Sequence, residues 1–137
     1  MYRKILVPMA LDHGLSPQTL EIAKALCEDG GEIKALHVHE MPSGSVSTYL
    51  DEAMVQDAFH RAEEMMAEKL AGVEGVTGQV VKGHSARTLI DYANDNDFDC
   101  IVIGSHKPDL ADYLIGSTTA RVVRHAKCAV HVVRGSV

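Results

Sequence analysis

Short apolar runs alternate along the chain with longer stretches in which apolar and polar positions are mixed. The run "KILVPM" is apolar almost throughout and is stopped by proline, and "FDCIVIG" has the same character. Continuous apolar runs of this length are typical of strands that are buried on both faces of a sheet. The full pattern predicts five strands, over residues 4–9, 32–40, 75–83, 98–104 and 128–134.

Between these runs, apolar residues recur at three- and four-residue steps, which predicts amphipathic helices. Ser16 followed by Pro17 is typical of a helix start, with the serine as the cap and the proline in the first turn. We expect this first helix to end at Gly30-Gly31. A long second helix is predicted from about residue 49 to residue 70, after a loop over 41–47.

The apolar side of the long helix is a stripe of methionine, alanine and leucine, which we interpret as core packing: Met54, Ala58, Ala62, Met65, Met66 and Leu70. Ser85 is predicted to cap a third helix that continues through Ala93. A fourth helix is predicted over 116–126, and its inward side is expected to consist of Ile115, Val122, Val123 and Ala126.

The alternation of strands and helices predicts an α/β fold, an open five-stranded parallel sheet with helices on both faces. Ligands of such sheets bind beyond the carboxyl ends of the strands where the strand order reverses. The first and fourth strands are the best candidates for that position. They end at Pro8-Met9-Ala10 and at Gly104-Ser105-His106.

Length and charge narrow the possible functions. The 137 residues, without an evident linker, predict one domain over 1–137. A net charge of −6 disfavours general binding to nucleic acid or to anionic membranes.

No apolar stretch predicts membrane insertion, and the N-terminus lacks the pattern of a signal peptide. Three irregularly spaced cysteines indicate small buried apolar residues rather than disulfides, and hence a reducing cytoplasm.

The segment "IVIGSHKPDLADYLIGST" contains the candidate chemistry. Gly104 and Gly116 allow a ligand to approach the backbone, and the amides of Ser117, Thr118 and Thr119 would form the positive first turn of a helix. Ser117 and Thr118 add hydroxyl donors, and His106 and Lys107 add basic groups. The segment by itself is therefore compatible with a phosphate site but does not decide for one. The alternative is that Ser117 only caps the helix and Gly104 only permits a turn. The spacing matches neither a Walker A loop nor Gly-x-Gly-x-x-Gly.

The histidines allow a second kind of site. His37 and His39 lie two residues apart on a predicted strand, so that both point to one face and could share a metal ion. Without a third ligand nearby we interpret them as packing or surface residues, and we predict no metal site. His125 lies near the end of the fourth helix, where it would interact with the helix dipole.

Together, "KILVPM", the segment "IVIGSHKPDLADYLIGSTTARVVRHAKCAVHVVR" and the chain length resemble the universal stress protein family. The resemblance covers essentially the whole chain and is strongest to the small F/G-type bacterial members. It implies the Rossmann-like fold of the adenine nucleotide α-hydrolases, with strand order 3-2-1-4-5. It also implies a homodimer joined through the last strand, where His131 would line the interface.

Many members of that family bind ATP through Gly, two residues, Gly, nine residues and Gly-Ser or Gly-Thr. Here Gly104 matches the first glycine and Gly116-Ser117 the last pair, but Lys107 stands at the middle glycine and the loop is one residue shorter. The family's first strand also continues to an aspartate that contacts the nucleotide. This chain has Ala10 there, and Asp12 follows two residues later. Losing one such hydrogen bond costs on the order of 1 kcal/mol, which is roughly a fivefold to tenfold loss of affinity.

The resemblance implies that Val38 is a wall of the adenine pocket. The ligand is expected to be ATP, or else AMP or ADP, with or without Mg²⁺. The predicted nucleotide-binding residues are Pro8, Met9, Ala10, Asp12, Val38, Gly104, Ser105, His106, Lys107, Gly116, Ser117, Thr118 and Thr119.

The sequence is compatible with three functions. The first is an ATP-binding, dimeric stress regulator that acts on an unidentified protein partner. The second, for which Ala10 and Lys107 argue, is a nucleotide-free interaction module. The third is slow ATP hydrolysis or self-phosphorylation at Ser117 or Thr118, although the sequence offers no evident general base there beyond the guesses Asp12 and His106. We predict no catalytic residue.

Overall fold

The structure, a computed structural model, describes residues 1–11, 14–40, 51–105 and 115–134. The loop predicted over 41–47 and the start of the long helix near residue 49 lie outside these ranges. In chain order the described elements are β1 (Tyr2–Pro8), α1 (Pro17–Leu26), β2 (Cys27–His39), α2 (Glu52–Leu70), β3 (Val76–Lys82), α3 (Ser85–Asp95), β4 (Cys100–Gly104), α4 (Ser117–His125) and β5 (Ala129–Val133).

The five strands form one parallel sheet in the order β3-β2-β1-β4-β5, which confirms the predicted fold class and strand order. β1 lies at the centre, and its middle residues Ile5, Leu6 and Val7 are at most 1% exposed. The chain runs outward from β1 through β2 to β3, then returns to the other side of β1 for β4 and β5. The strand order therefore reverses between β1 and β4.

Helices cover both faces of the sheet, and the side chains of each strand alternate between them. On one face, Leu6, Leu36 and Ile101 pack with Leu89 of α3 and Val122 of α4. On the other face one cluster includes Ala23 of α1, and a neighbouring cluster includes Ala62 and Met66 of α2. The sheet is thus buried on both sides, as the apolar runs predict.

The prediction that the first helix ends at Gly30-Gly31 is wrong. α1 ends at Leu26, and Cys27 already has the extended backbone of a strand. The two glycines lie within β2, where the register against β1 shifts between Tyr2 and Lys4. Gly30 has φ of +82°, and a Cβ on Gly31 would lie 2.8 Å from the carbonyl oxygen of Arg3. Both glycines therefore permit a bulge in a strand rather than the end of a helix.

Several details of the other helices also differ from prediction. Ser85 is the first residue of α3 and not its cap, a position taken by His84. At the start of α2, Met54 is 55% exposed and Ala58 is exposed, so that the core stripe of this helix begins only further along. In α4, Val122 is fully buried, but Val123 and the preceding Ile115 are 49% and 41% exposed.

Within the described residues, every helix is too short or too polar to cross a bilayer.

Candidate functional site

The candidate site lies at the carboxyl edge of the sheet, between β1 and β4. Leu6 of β1 is paired with Ile101 of β4. Met9 and Gly104 each lie three residues further along, so both strands leave the sheet at the same edge. This is the position at which α/β sheets bind ligands, because the loops diverge from it to opposite faces.

The end of β1 is held by backbone hydrogen bonds. The amide of Met9 donates to the carbonyl of Leu36 at 2.8 Å, and its carbonyl accepts from Nδ1 of His37 at 3.0 Å. Ala10 is exposed, and its carbonyl accepts from the amide of Gly14 at 2.8 Å. The chain therefore turns at Ala10 without presenting a carboxylate at that position.

The end of β4 combines an open glycine with a buried serine. A Cβ placed on Gly104 would meet no atom within 4 Å, and the backbone there is not left-handed. Ser105 is 4% exposed, and its amide donates to the carbonyl of Val133 in β5 at 2.9 Å. Neither packing nor backbone conformation among the described residues thus requires glycine at 104.

The first turn of α4 is joined directly to the end of β4. The amide of Gly116, which precedes the helix, donates to the carbonyl of Ser105 at 2.8 Å. The hydroxyl of Thr119 donates to the carbonyl of Gly104 at 2.6 Å and is buried. Ser117 is exposed and Thr118 is half-buried. Gly116 occupies the cap position, so Ser117 is not the helix cap.

The helices differ in how their first amides are satisfied. Ser16 accepts from the third amide of α1, Asp51 accepts from the amide of Met54 in α2, and Glu40 accepts from the amide of Ser85 in α3. No side chain caps α4, and its first turn contains no acidic residue. In the described part of the chain, the amides of residues 117–119 have no hydrogen-bond acceptor. α4 therefore offers free donors and a positive dipole end at the edge of the sheet.

Two more of the predicted site residues lie at the ends of β1 and β2. Val38 is 8% exposed and belongs to the core cluster under α3 and α4, near the carboxyl end of β2. Pro8 is half-buried at the end of β1, beside the buried Met9. The structure thus brings the ends of β1, β2 and β4 and the start of α4 to one edge. Asp12, His106 and Lys107 lie outside the described residues.

His37 and His39 each make a contact with another part of the protein. His37 bonds to the carbonyl of Met9, and the ring of His39 stands edge-on to Phe59, with the centroids 5.8 Å apart. Among the residues of the described ranges, no group of three or more potential ligands is placed to hold a metal ion. His125 is the last residue of α4, as expected for a side chain that interacts with the helix dipole.

The three cysteines are free thiols. Cys100 is 1% exposed, and burial, followed by the neighbouring Cys128 and Asp99, raises its pKa to about 11. Burial is also the main reason why the pKa values of Cys27 and Cys128 are raised. Raised pKa values keep these thiols protonated near neutral pH, which makes them poor nucleophiles.

A cavity of about 350 Å³ lies at the opposite, amino edge of the sheet, and the sequence pattern did not point to it. Its walls include Arg3, Lys4 and the bulge of β2. Both oxygens of Asp99 accept from the backbone amides of Arg3 and Lys4 at 3.0 Å. These contacts join the start of β1 to the start of β4, so the carboxylate has a structural role there.

The model of the universal stress protein family matches residues 1–134. The chain belongs to the universal stress protein family. One relative, the universal stress protein G of Salmonella typhimurium strain LT2, is 30% identical over 145 residues, which cover 98% of this chain and 100% of that protein. The resemblance to the G-type members is therefore confirmed over nearly the full length.

Solved universal stress proteins share the fold. The universal stress protein UspA from Lactobacillus plantarum has a TM-score of 0.65 at 23% identity, with 97% of this chain and 98% of that chain covered. A family member from Arabidopsis thaliana with AMP bound has a TM-score of 0.58 at 17% identity, with 97% and 92% covered. Members in complex with cAMP and with dAMP have TM-scores of 0.59 and 0.50 at 20% and 18% identity.

Proposed function

We propose that this universal stress protein binds an adenine nucleotide, ATP above all, at the carboxyl edge of its sheet, and that it acts as a stress-response regulator. The start of α4 carries the proposal. Three consecutive amides, at Ser117, Thr118 and Thr119, lack acceptors among the described residues and lie at the positive end of the helix dipole. Such a helix start binds phosphate well, because both the donors and the dipole favour an anion.

The nucleotides of the related structures support the choice of ligand. AMP, dAMP and cAMP, which are bound to other universal stress proteins, share an adenine base and a phosphate. The phosphate is proposed to lie at the start of α4, and the base to lie near Val38. Gly104 supports this arrangement, since the open space beside it would let the ligand approach the backbone closely.

The proposal is tested by titrating the protein with ATP and Mg²⁺ in a calorimeter, in parallel with Gly104→Val. A Cβ at position 104 would meet none of the described atoms within 4 Å, so the fold should survive while the side chain obstructs the ligand. We expect saturable heat from the wild type and at least a tenfold weaker affinity in the variant. A wild type that gives no heat at millimolar ATP would overturn the proposal. Chromatography of an extract from the heat-denatured protein tests independently for a copurified nucleotide.

A nucleotide-free interaction module is the second candidate, and Ala10 is the observation that favours it. Ala10 is exposed at the end of β1 and offers only its backbone, which already accepts from Gly14. Under this second function the purified protein would contain no nucleotide, and neither ATP nor AMP would raise its melting temperature.

The regulator is further proposed to be a cytoplasmic homodimer that pairs through β5 and recruits a protein partner. β5 is an edge strand of the sheet, and the side chains of Ala129 and His131 are exposed. An edge strand has unpaired backbone donors and acceptors, so a second copy can continue the sheet. The free thiols support a reducing compartment. Analytical ultracentrifugation of the full chain tests the dimer.

A further inference from the structure

Two polar side chains are buried in the described part of the chain, and both lie at the base of the candidate site. Ser105 and Thr119 are 4% and 5% exposed. Burying a hydroxyl is unfavourable unless it forms a hydrogen bond. Their presence at the junction of β4 and α4, rather than an apolar pair, indicates that this junction needs polar contacts.

The hydroxyl of Thr119 is committed to the protein. It donates to the carbonyl of Gly104 at 2.6 Å, across 15 positions of sequence. Thr119 is the third residue of α4 and Gly104 is the last residue of β4. The bond therefore joins the first turn of the helix to the end of the strand, and the hydroxyl is not directed to a ligand.

Backbone hydrogen bonds hold the same junction on either side. The peptide unit between Gly104 and Ser105 accepts from Thr119 through its carbonyl and donates to Val133 of β5 through its amide. The carbonyl of Ser105 in turn accepts from the amide of Gly116 at 2.8 Å. The start of α4 is thus fixed to β4 at two points, Gly116 and Thr119, which are one helical turn apart.

No side-chain cap contributes to the placement of α4. One turn further along, Val122 is fully buried in the core and fixes the middle of the helix. Apolar packing of this kind resists separation from the sheet but is non-directional, whereas a short hydrogen bond defines a distance and an angle. The Thr119 hydroxyl is therefore the side-chain contact that sets where the first-turn amides lie relative to Gly104.

We infer that Thr119 is a positioning residue for phosphate recognition, acting through its hydroxyl on the amides of the first turn and not by contact of that hydroxyl with the nucleotide. The inference rests on the proposed function of the same site. Without the hydroxyl, the carbonyl of Gly104 loses its partner and the helix start can shift away from β4. The phosphate then loses aligned donors, while the adenine, which is proposed to lie near Val38 on another strand, is unaffected.

The test uses calorimetric titrations of the full chain with two probes, ATP with Mg²⁺ and adenosine, which lacks phosphate. Thr119→Val removes the hydroxyl at nearly constant volume, and Thr119→Ser keeps it. We expect Thr119→Val to weaken ATP binding about tenfold and adenosine binding less than twofold, as expected for loss of phosphate contacts alone. Thr119→Ser should stay within about twofold of the wild type for both probes. Thr119→Ala is a second hydroxyl-free variant in case the valine fits poorly.

Thr19→Val is the matched control. Thr19 is also the third residue of its helix, and its hydroxyl accepts from Oγ of Ser16 at 2.8 Å, so the control removes a hydroxyl contact at the same position of α1. We expect it to leave ATP affinity unchanged. A similar loss of ATP affinity in Thr19→Val, or an equal loss of ATP and adenosine binding in Thr119→Val, would assign Thr119 a general structural role and overturn the inference.

The remaining outcomes separate this inference from the proposed function. Wild-type protein that binds ATP, with Thr119→Val equal to it, overturns the positioning role alone. Wild-type protein that binds no ATP overturns the proposed function and this inference together. Selective loss of ATP affinity with rescue by Thr119→Ser supports both.

Discussion

Gly78 and Gly104 are both strand glycines, but their surroundings differ. A Cβ on Gly78 would lie 2.4 Å from Cδ1 of Leu70 and 2.8 Å from Sδ of Met66, both in α2. A Cβ on Gly104 would meet nothing within 4 Å. A Cβ on Gly78 would therefore displace side chains of α2 that pack on β3, whereas Gly104 can carry a Cβ without a clash among the described residues.

We expect Gly78→Ala to lower the free energy of unfolding by about 1–3 kcal/mol, because the side chains of Leu70 and Met66 must shift to make room for the methyl group. Gly104→Ala should change it by no more than about 0.5 kcal/mol. Urea denaturation of both variants measures the difference. Equal stabilities would mean that α2 is not packed on β3 as closely as described.

The buried thiol of Cys100 predicts a pH dependence of stability. Its pKa is raised from 9.0 to about 11 in the folded protein, so folding favours the protonated thiol. This contribution is complete below pH 9 and is lost as the pH rises towards 11. We expect wild type to lose stability relative to Cys100→Ala over that window, and the difference between them to be constant below it. Denaturation series at matched ionic strength measure this, and parallel curves throughout would contradict it.

Among the elements, the helix starts show most clearly when the residues next to a helix predict its cap and when they do not. Ser16 caps α1 as predicted, and its Oγ accepts from the amide of Thr19 at 3.1 Å. Ser85 is also predicted as a cap by sequence, yet the carboxylate of Glu40 accepts from its amide at 3.2 Å. A residue from the end of β2 thus replaces the local cap of α3.

This difference gives a matched pair of substitutions. Ser16→Ala should lower the free energy of unfolding by about 1 kcal/mol, because the third amide of α1 loses its acceptor. Ser85→Ala should cost no more than about 0.5 kcal/mol, since its side chain caps nothing. Thermal denaturation of the two variants distinguishes them, and an equal loss would contradict the assignment of Glu40 as the acceptor.

For the whole molecule, charge is distributed unevenly along the chain. Residues 115–134, which include α4 and β5, contain four arginines and lysines and no aspartate or glutamate, although the net charge of the protein is −6. A dimer paired through β5 would place two such basic segments side by side. Their mutual repulsion would be screened by salt.

We therefore expect the proposed dimer to be sensitive to charge at β5. His131 is exposed at the centre of this strand, so His131→Lys should weaken dimerisation by adding like charges at the junction. His131→Gln is the neutral control and should dimerise like the wild type. Sedimentation equilibrium at 50 and 300 mM salt, on the order of Debye lengths of 14 and 6 Å, compares the three proteins. Equal dissociation constants throughout would exclude β5 as the interface.

The sequence predicted the fold more fully than the details of the site. Apolar runs and helical periodicity identified every described strand and helix, and the resemblance supplied the strand order. The prediction of a helix end at Gly30-Gly31 was wrong, because a glycine pair is compatible with both a helix end and a strand bulge. Only the pairing of β2 with β1 distinguishes these two cases.

By itself, the sequence determined the alternation of elements, the family and the glycines around which a nucleotide site was predicted, because these depend on local composition and spacing. The tertiary structure alone decided which side chains hold the starts of α3 and α4. Thr119 bonds to Gly104, and Glu40 bonds to Ser85, across 15 and 45 positions of sequence. Such contacts depend on how strands and helices meet at the edge of the sheet, and no local pattern contains that geometry.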